Sequence, residues 1–167
     1  MYGSETATLI RQQPRNLPAL LTMYEGNFLR LMRVIPELDR LDGTVVSRVA
    51  GALDLYLSVE ERFRYTTTIF LTYHFETEHG LVAEPNARIR VYHDARAVEV
   101  LSHCRRRLSH IRGSWRRRHV QELDRRWEPN RFLQKWLGFC RRQGHMFLHC
   151  TATPVSSHLP SDRGGSI

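Results

Sequence analysis

The chain has 167 residues, a length that predicts one domain with a core large enough to fold without disulfides or bound metal. Its composition, 41% hydrophobic and 25% charged, is that of a globular protein, and no apolar run approaches about 18 residues, which argues against wholesale disorder and a membrane-spanning helix. The formal net charge of +8 favours an anionic partner, such as nucleic acid or a phosphorylated ligand.

The first predicted element is an amphipathic helix that follows residues 1–16, a polar and aperiodic stretch predicted to be a flexible arm. Asn16 is placed to cap the helix, and Pro18 falls in the first turn, where its missing N–H costs nothing. Pro36 is expected to end the helix. Apolar residues at spacings of three and four predict the buried face, which consists of Leu17, Leu20, Leu21, Tyr24, Phe28, Leu31, Met32 and Ile35.

A change from a period of about 3.6 to a period of about two predicts strands after this helix. The alternation is clearest around Leu55 and Leu57, and Gly51 is expected to form a turn before them. Residues 80–86 are predicted to be a polar loop, and residues 93–96 a tight hairpin turn. Because no helical pattern intervenes, the sheet is predicted to be antiparallel. Its strands are predicted at residues 45–49, 53–59, 66–75, 88–92 and 97–101.

The C-terminal third of the chain is less regular. Residues 102–127 show no clean period, so a strand with a long loop and a helix that forms only against a partner both stay open. A second helix is predicted to open at Pro129 and to end at Gly144, and residues 151–167 are predicted to be a disordered tail. Together these elements predict a single α+β domain over residues 17–150, with an N-terminal helix, an antiparallel sheet of about five strands, and a C-terminal helix packed on the sheet.

Four groups of residues occur in order and at compatible spacing along the chain. They are Met23-Tyr24-Glu25 with Asn27-Phe28, Arg64-Tyr65-Thr66-Thr67, Arg90-Val91-Tyr92-His93-Asp94-Ala95 with Val98-Glu99-Val100, and Asn130-Arg131-Phe132-Leu133 with Trp136-Leu137 and Cys140. As a set they resemble the YqiB-like proteins, a family classified as domain of unknown function 1249. The resemblance implies a small cytoplasmic protein of bacterial origin, and it brings with it no established activity, cofactor or substrate.

Positive charge is concentrated in residues 96–142, where fourteen cations face four acids, a local balance of +10. Arginines neutralise phosphates and indoles stack on unpaired bases, so this region predicts contact with RNA or DNA. The alternative is a solvated basic face whose tryptophans anchor the segment to the sheet. The residues predicted to bind the polyanion are Arg105, Arg106, Arg107, Trp115, Arg116, Arg117, Arg118, Arg125, Arg126 and Trp127.

A second candidate site is a pocket on the sheet that would hold a nucleotide or another phosphorylated metabolite. Guanidinium, phenol and hydroxyl groups all donate to phosphate oxygens, and several occur on the predicted strands. The alternative for Arg64 is a cross-strand ion pair with Glu60 or Glu61. The residues predicted to line the pocket are Arg64, Tyr65, Thr67, Arg90, Tyr92 and His93.

His93 and Asp94 are also the candidates for general acid–base catalysis, since a carboxylate beside an imidazole holds its pKa near neutrality. Neighbours on a strand point to opposite faces, so the two can pair only if the chain turns there. In the alternative, Asp94 is a turn residue that binds its own backbone, and His93 is packed or caps the turn.

The cysteines and histidines do not have the spacing of a metal site. Cys104, Cys140 and Cys150 are an odd number without framework spacing, and they predict free thiols in a reducing compartment. His145 and His149 lie near them, but sequence patterns such as C-x₂-C are absent, so no metal or cofactor is predicted. The N-terminal residues lack the pattern of a signal peptide, and the predicted location is the cytoplasm.

The sequence favours a cytosolic binding or accessory protein that contacts nucleic acid or another polyanion through residues 105–131. No Gly-rich phosphate loop, G-x-S-x-G or H-E-x-x-H pattern occurs, so catalysis is not favoured. Two alternatives remain: the phosphorylated small molecule on the sheet, and a protein-interaction module that uses the first helix or a free sheet edge.

Overall fold

The computed structural model describes residues 15–104 and 118–149. Apart from Arg15 and Asn16, the predicted arm lies outside the described residues, as does the predicted tail at residues 151–167. The order of helix, five strands and helix confirms the predicted α+β class. In chain order the elements are α1 (Leu17–Val34), a short 3₁₀ helix (Leu38–Arg40), β1 (Thr44–Ser47), β2 (Leu55–Arg62), β3 (Thr66–Thr77), β4 (Gly80–Tyr92), β5 (Ala97–Cys104) and α2 (Arg118–Gln143).

Helix α1 begins and ends where its sequence indicates. The Asn16 side chain accepts a hydrogen bond from the Ala19 N–H at 2.9 Å, which confirms the predicted cap. The helix ends at Val34, two residues before Pro36, because the residue before a proline disfavours helical geometry. The predicted apolar stripe is too wide, since Leu17 and Leu21 are exposed on its solvent flank while Leu20, Tyr24, Phe28 and Leu31 are buried.

The five strands pair in chain order, and each is antiparallel to the next. Alternate residues face the core, as in the cross-strand row of Ile69, Ile89 and Val100, all of which are buried. Residues of α1 and α2, among them Phe28 and Leu137, complete the same apolar cluster. Each large side chain buried in this way stabilises the fold by about 1.5 to 3 kcal/mol.

The prediction of a loop at residues 80–86 is wrong, because these residues form the first half of β4. The turn lies earlier, at Glu78 and His79, and Gly80 follows it at a φ of +111°. Pro85 is compatible with the strand because it lies at a register break, where Glu84 and Pro85 oppose a single residue of β3. The end of β3 and the start of β4, residues 74–85 with their turn, extend beyond the residues that pair with β2 and β5. Phe75 lies in this extension and is therefore exposed.

Helix α2 begins at Arg118, eleven residues before the predicted start, and it contains Pro129. Proline removes one N–H from the helical ladder, but tertiary contacts on both sides of it hold the helix together. Trp127 is buried in a cluster with residues of α1, and the Asn130 Oδ1 accepts the Val100 N–H of β5 at 3.1 Å. The end at Gly144 is confirmed: with a φ of +91° it closes a Schellman motif, in which the His145 N–H reaches the Cys140 carbonyl at 3.0 Å.

The two helices run side by side in the same direction. Trp127 packs against Leu20, and the Asn27 amide donates to the Asn130 carbonyl at 2.9 Å. Beyond the helix ends, the Phe147 N–H donates to the Val34 carbonyl at 2.8 Å, so both C-terminal ends lie at the same end of the molecule. In the part of the chain that the structure describes, neither helix is long and apolar enough to cross a membrane.

Candidate functional site

Much of the basic run predicted to bind nucleic acid lies outside the described residues. This holds for Arg105, Arg106, Arg107, Trp115, Arg116 and Arg117. Arg118 is the first residue of α2, and the remaining three predicted residues, Arg125, Arg126 and Trp127, belong to the same helix.

The part of this run on α2 differs from the expectation. Arg126 pairs with Glu99 at 3.2 Å and with Glu122 at 3.7 Å, and Arg125 pairs with Glu122 at 3.7 Å. Trp127 is only 4% exposed and packs in a cluster with Leu20, Met23 and Tyr24. A base cannot stack on an indole that is buried in this way, so Trp127 is a packing residue that joins α2 to α1.

The residues of the predicted sheet pocket fall into separate places. Thr67 is buried, and its Oγ1 lies 2.8 Å from Nε2 of His93. Arg90 and Tyr92 lie on the opposite face of the sheet, because side chains alternate along β4. Each has an acidic partner there: Arg90 lies 3.8 Å from Glu61, and the Tyr92 hydroxyl donates to Glu99 at 3.0 Å.

These contacts already use the groups that would bind phosphate. Burial and the hydrogen bond to Glu99 raise the pKa of Tyr92, so its phenol stays protonated at neutral pH. Arg64 and Tyr65 lie at the exposed turn between β2 and β3, where the guanidinium sits 5.0 Å from the centre of the Tyr65 ring. The six residues therefore do not line one cavity.

His93 and Asp94 have separate partners. The Asp94 carboxylate accepts the Ala95 N–H at 2.9 Å inside the turn between β4 and β5. His93 contacts Thr67 through its ring and donates its backbone N–H to the Tyr65 carbonyl at 2.9 Å. This geometry agrees with the alternative in which Asp94 is a turn residue and His93 is packed.

The structure brings together a set of residues that the sequence interpretation missed, in a groove between α1 and α2 near their C-terminal ends. The groove has a volume of about 560 Å³. Four of its six lining residues are arginines, two from each helix, although the two pairs are more than 100 residues apart in the chain. The lining consists of Arg30, Arg33, Leu137, Gly138, Arg141 and Arg142.

The charge of this arginine groove is not neutralised by nearby carboxylates. Within residues 15–104 and 118–149, none of the four guanidiniums forms an ion pair, whereas exposed arginines elsewhere, such as Arg48 and Arg88, do. Arg30 donates from Nη1 to the Gly26 carbonyl at 2.9 Å, a bond that orients the guanidinium without neutralising it. The groove is therefore a place on the described surface where four unneutralised positive charges lie together.

Helix termini do not account for four arginines at this place. Two C-terminal ends carry about one negative charge between them, so about three positive charges remain uncompensated. Several terminal carbonyls also have backbone partners, since Val34 accepts from the Phe147 N–H at 2.8 Å, Cys140 from the His145 N–H at 3.0 Å and Arg141 from the Gly144 N–H at 3.0 Å. These carbonyls do not need the arginine side chains as donors.

The basic surface continues along α2 from the groove. Residues 131, 135, 138 and 142 follow one another at spacings of four, three and four, so they lie on one face of α2. Arg131 and Lys135 are both exposed on this face. Residues 129–149 contain no Asp or Glu. Six cations therefore form one continuous surface with the groove.

A buried polar cluster lies near the end of α2, behind the groove. The Tyr73 hydroxyl and the Cys140 thiol are 3.5 Å apart, and His145 Nδ1 lies 3.1 Å from the Ser47 hydroxyl. Burial raises the pKa of the Cys140 thiol to about 11, so the thiol is protonated at neutral pH. Among the described residues, no three His, Cys, Asp or Glu side chains are arranged to hold a metal ion.

Similarity to known proteins covers most of the chain. The "Uncharacterized protein YqiB" of Escherichia coli strain K12 is 29% identical over 133 residues, which are 78% of this chain and 92% of that protein. The protein of the same name from E. coli O157:H7 has the same identity and coverage. No solved structure matches the chain. A family model described as "Protein of unknown function (DUF1249)" matches residues 30–146, which confirms the resemblance carried by the four residue groups: the chain belongs to the DUF1249 family.

Proposed function

We propose that this protein is a non-catalytic binding protein whose partner is nucleic acid, and that the arginine groove supplies its phosphate contacts. The observation that carries the proposal is the set of four guanidiniums that line one groove and form no ion pair among the described residues. The three cysteines without framework spacing favour the cytoplasm as the place of this binding.

The dimensions of the surface suit a phosphate backbone. From Arg131 to Arg142 the axis of α2 rises about 16 Å, which is long enough to contact more than one phosphate of a nucleic-acid strand. Arginine binds phosphate through two parallel N–H donors, which a lysine cannot do. The six cations therefore offer contacts to several phosphates, with the arginines concentrated at the groove.

Salt dependence tests the proposal, because each phosphate contact releases bound counterions. We expect labelled single-stranded RNA and duplex DNA of about 20 nucleotides to bind in fluorescence anisotropy at about 50 mM salt. Six contacts predict that the affinity for duplex DNA falls by about 10³-fold between about 50 and 200 mM salt. An absence of binding at the lower salt concentration would reject the proposal.

A matched pair of double variants locates the surface. Arg33→Ala with Arg141→Ala removes two guanidiniums of the groove, and we expect the slope of log K against log salt to decrease by about two. Arg40→Ala with Arg48→Ala removes the same charge from exposed arginines that are paired with Glu37 and Asp54, and it should leave the slope unchanged. Equal slopes for the two double variants would contradict the assignment of the groove.

A further inference from the structure

Two glycines stand in the middle of the helices that form the groove. Gly26 in α1 and Gly138 in α2 each precede an arginine of the groove by four residues, Arg30 and Arg142. Glycine weakens a helix interior relative to alanine, and the positive φ angles that require glycine occur elsewhere, for example at Gly43 and Gly144. Backbone conformation therefore gives no reason for a glycine at either helical position.

The neighbouring side chain gives a reason at one of the two positions. A Cβ at residue 26 would lie 2.9 Å from Nη1 of Arg30, closer than side-chain carbons approach other atoms, so the guanidinium would have to move. A Cβ at residue 138 would lie 3.5 Å from Nη1 of Arg142, which is an ordinary van der Waals distance. Gly26 thus provides the space in which the Arg30 guanidinium lies against its own helix and donates to the Gly26 carbonyl.

This arrangement prepares Arg30 for a ligand. The bond to the Gly26 carbonyl uses one of the five guanidinium N–H donors and holds the planar group on the helix surface. A guanidinium that is already fixed loses less conformational entropy on binding than one that is free in solvent. The remaining donors of Arg30 lie in the lining of the groove, together with those of Arg33, Arg141 and Arg142.

We propose that the groove binds a phosphomonoester, the phosphorylated end of a nucleic-acid strand or of a nucleotide, and that Gly26 is the positioning residue that holds Arg30 for it. This inference rests on the proposed function and names the chemical group that the groove takes. A phosphomonoester carries about −1.5 to −2 charges at pH 7 and three terminal oxygens, whereas a diester within a strand carries one charge.

The distribution of charge distinguishes the groove from the rest of the basic surface. Four guanidiniums at the C-terminal ends of two helices leave an excess of about three positive charges at one place, which matches a phosphomonoester together with the diester next to it. Farther along α2 the surface offers Arg131 and Lys135, one cation per turn, which suits the diesters that follow. The proposal thus places the group of highest negative charge where four guanidiniums converge.

Strands that differ only at their ends test the ligand class. Three oligonucleotides of one sequence with an internal label, carrying a 5′-phosphate, a 3′-phosphate or hydroxyls at both ends, are compared by fluorescence anisotropy. We expect one phosphorylated strand to bind at least about tenfold more tightly than the hydroxyl strand, since the terminal phosphate adds charge-assisted hydrogen bonds. A nucleoside monophosphate that displaces the strand at a similar concentration identifies the nucleotide as the ligand, and failure to displace it identifies the strand end.

Alanine at the two glycines tests the positioning role. Gly138→Ala improves helix propensity and should raise the Tm by about 2 to 4 °C. Gly26→Ala should raise the Tm by less, because the displaced Arg30 loses its bond to the Gly26 carbonyl. We expect Gly26→Ala to abolish the preference for the phosphorylated strand, because it displaces the Arg30 guanidinium, and Gly138→Ala to retain it. Arg30→Lys, which keeps the charge but loses the planar pair of donors, should also abolish the preference.

The possible results separate the two proposals. Equal affinity for phosphorylated and hydroxyl strands overturns the inference, while the proposed function stands if the Arg33→Ala, Arg141→Ala variant still lowers the salt slope. A Gly26→Ala protein that keeps the preference shows that the glycine does not position Arg30. If none of the three strands binds, both proposals fail.

Discussion

At the scale of single residues, the arginines of this protein divide by their partners. Arg88 and Arg126 are paired with carboxylates, Arg64 and Arg96 lie over aromatic rings, and Arg62 donates to the carbonyls of Leu38 and Leu41. The four arginines of the groove have no such carboxylate or ring among the described residues. Residue type alone does not separate these groups, because the difference lies in which side chain is nearby after folding.

His145 is a residue whose environment makes stability depend on pH. It is buried, its Nδ1 is bonded to the Ser47 hydroxyl, and its Nε2 has no hydrogen-bond partner among the described residues. Burial lowers the pKa of the ring, against a smaller opposing effect of Ser47 and Asp54. The folded protein therefore favours the neutral ring.

This lowered pKa predicts a loss of stability in mild acid. As the pH falls below about 6.5, His145 is protonated in the unfolded chain before it is protonated in the folded protein. The unfolded state then binds more protons, so the free energy of unfolding decreases as the pH is lowered. We expect the free energy of unfolding, measured with urea, to decrease more for the wild type than for His145→Asn when the pH is lowered from 7 to 5. A difference that stays constant over this range would contradict the role of His145.

At the scale of elements, the clearest patterns predicted helix α1 and most of the sheet correctly. Asn16, Pro18 and the apolar spacing indicate α1, and alternation indicates β2 and β3, because these signals are local. The two errors, residues 80–86 and the start of α2, both involve a proline that tertiary structure accommodates. Pro85 lies at a register break. Pro129 lies between Trp127, which packs against α1, and Asn130, which accepts the Val100 N–H of β5, and no local pattern reveals these contacts.

Asn130 joins α2 to the edge strand β5 and holds the helix beside Pro129. Its amide donates to the Arg126 carbonyl, while its Oδ1 accepts the Val100 N–H at 3.1 Å, and the side chain is fully buried. Asn130→Ala would leave the Val100 N–H without this partner, and we expect the free energy of unfolding to fall by about 2 kcal/mol. Gln134→Ala on the same helix is the control, and a loss no larger than that of the control in chemical denaturation would disprove the role of Asn130.

At the scale of the whole molecule, the candidate site combines the two ends of the described chain. Arg30 and Arg33 precede the sheet and Arg141 and Arg142 follow it, so the groove could not be found from a motif of consecutive residues. The composition predicts an anionic partner, because it has an excess of arginine, and this stays a prediction. It did not indicate the place, because which arginines converge depends on the two helices running side by side in the same direction.

The α1 wall of the groove precedes the sheet in the chain and the α2 wall follows it, so we expect a ligand to bind there only when the entire α+β unit is folded. Binding is then thermodynamically linked to folding, and a ligand at about 100 times its Kd stabilises the folded state by about 2.7 kcal/mol. Amides of β3 and β4 that exchange through global unfolding should exchange with deuterium about 100-fold more slowly under these conditions, although they lie in the sheet and not in the groove. Protection confined to α1 and α2 would mean that the helices bind the ligand apart from the sheet.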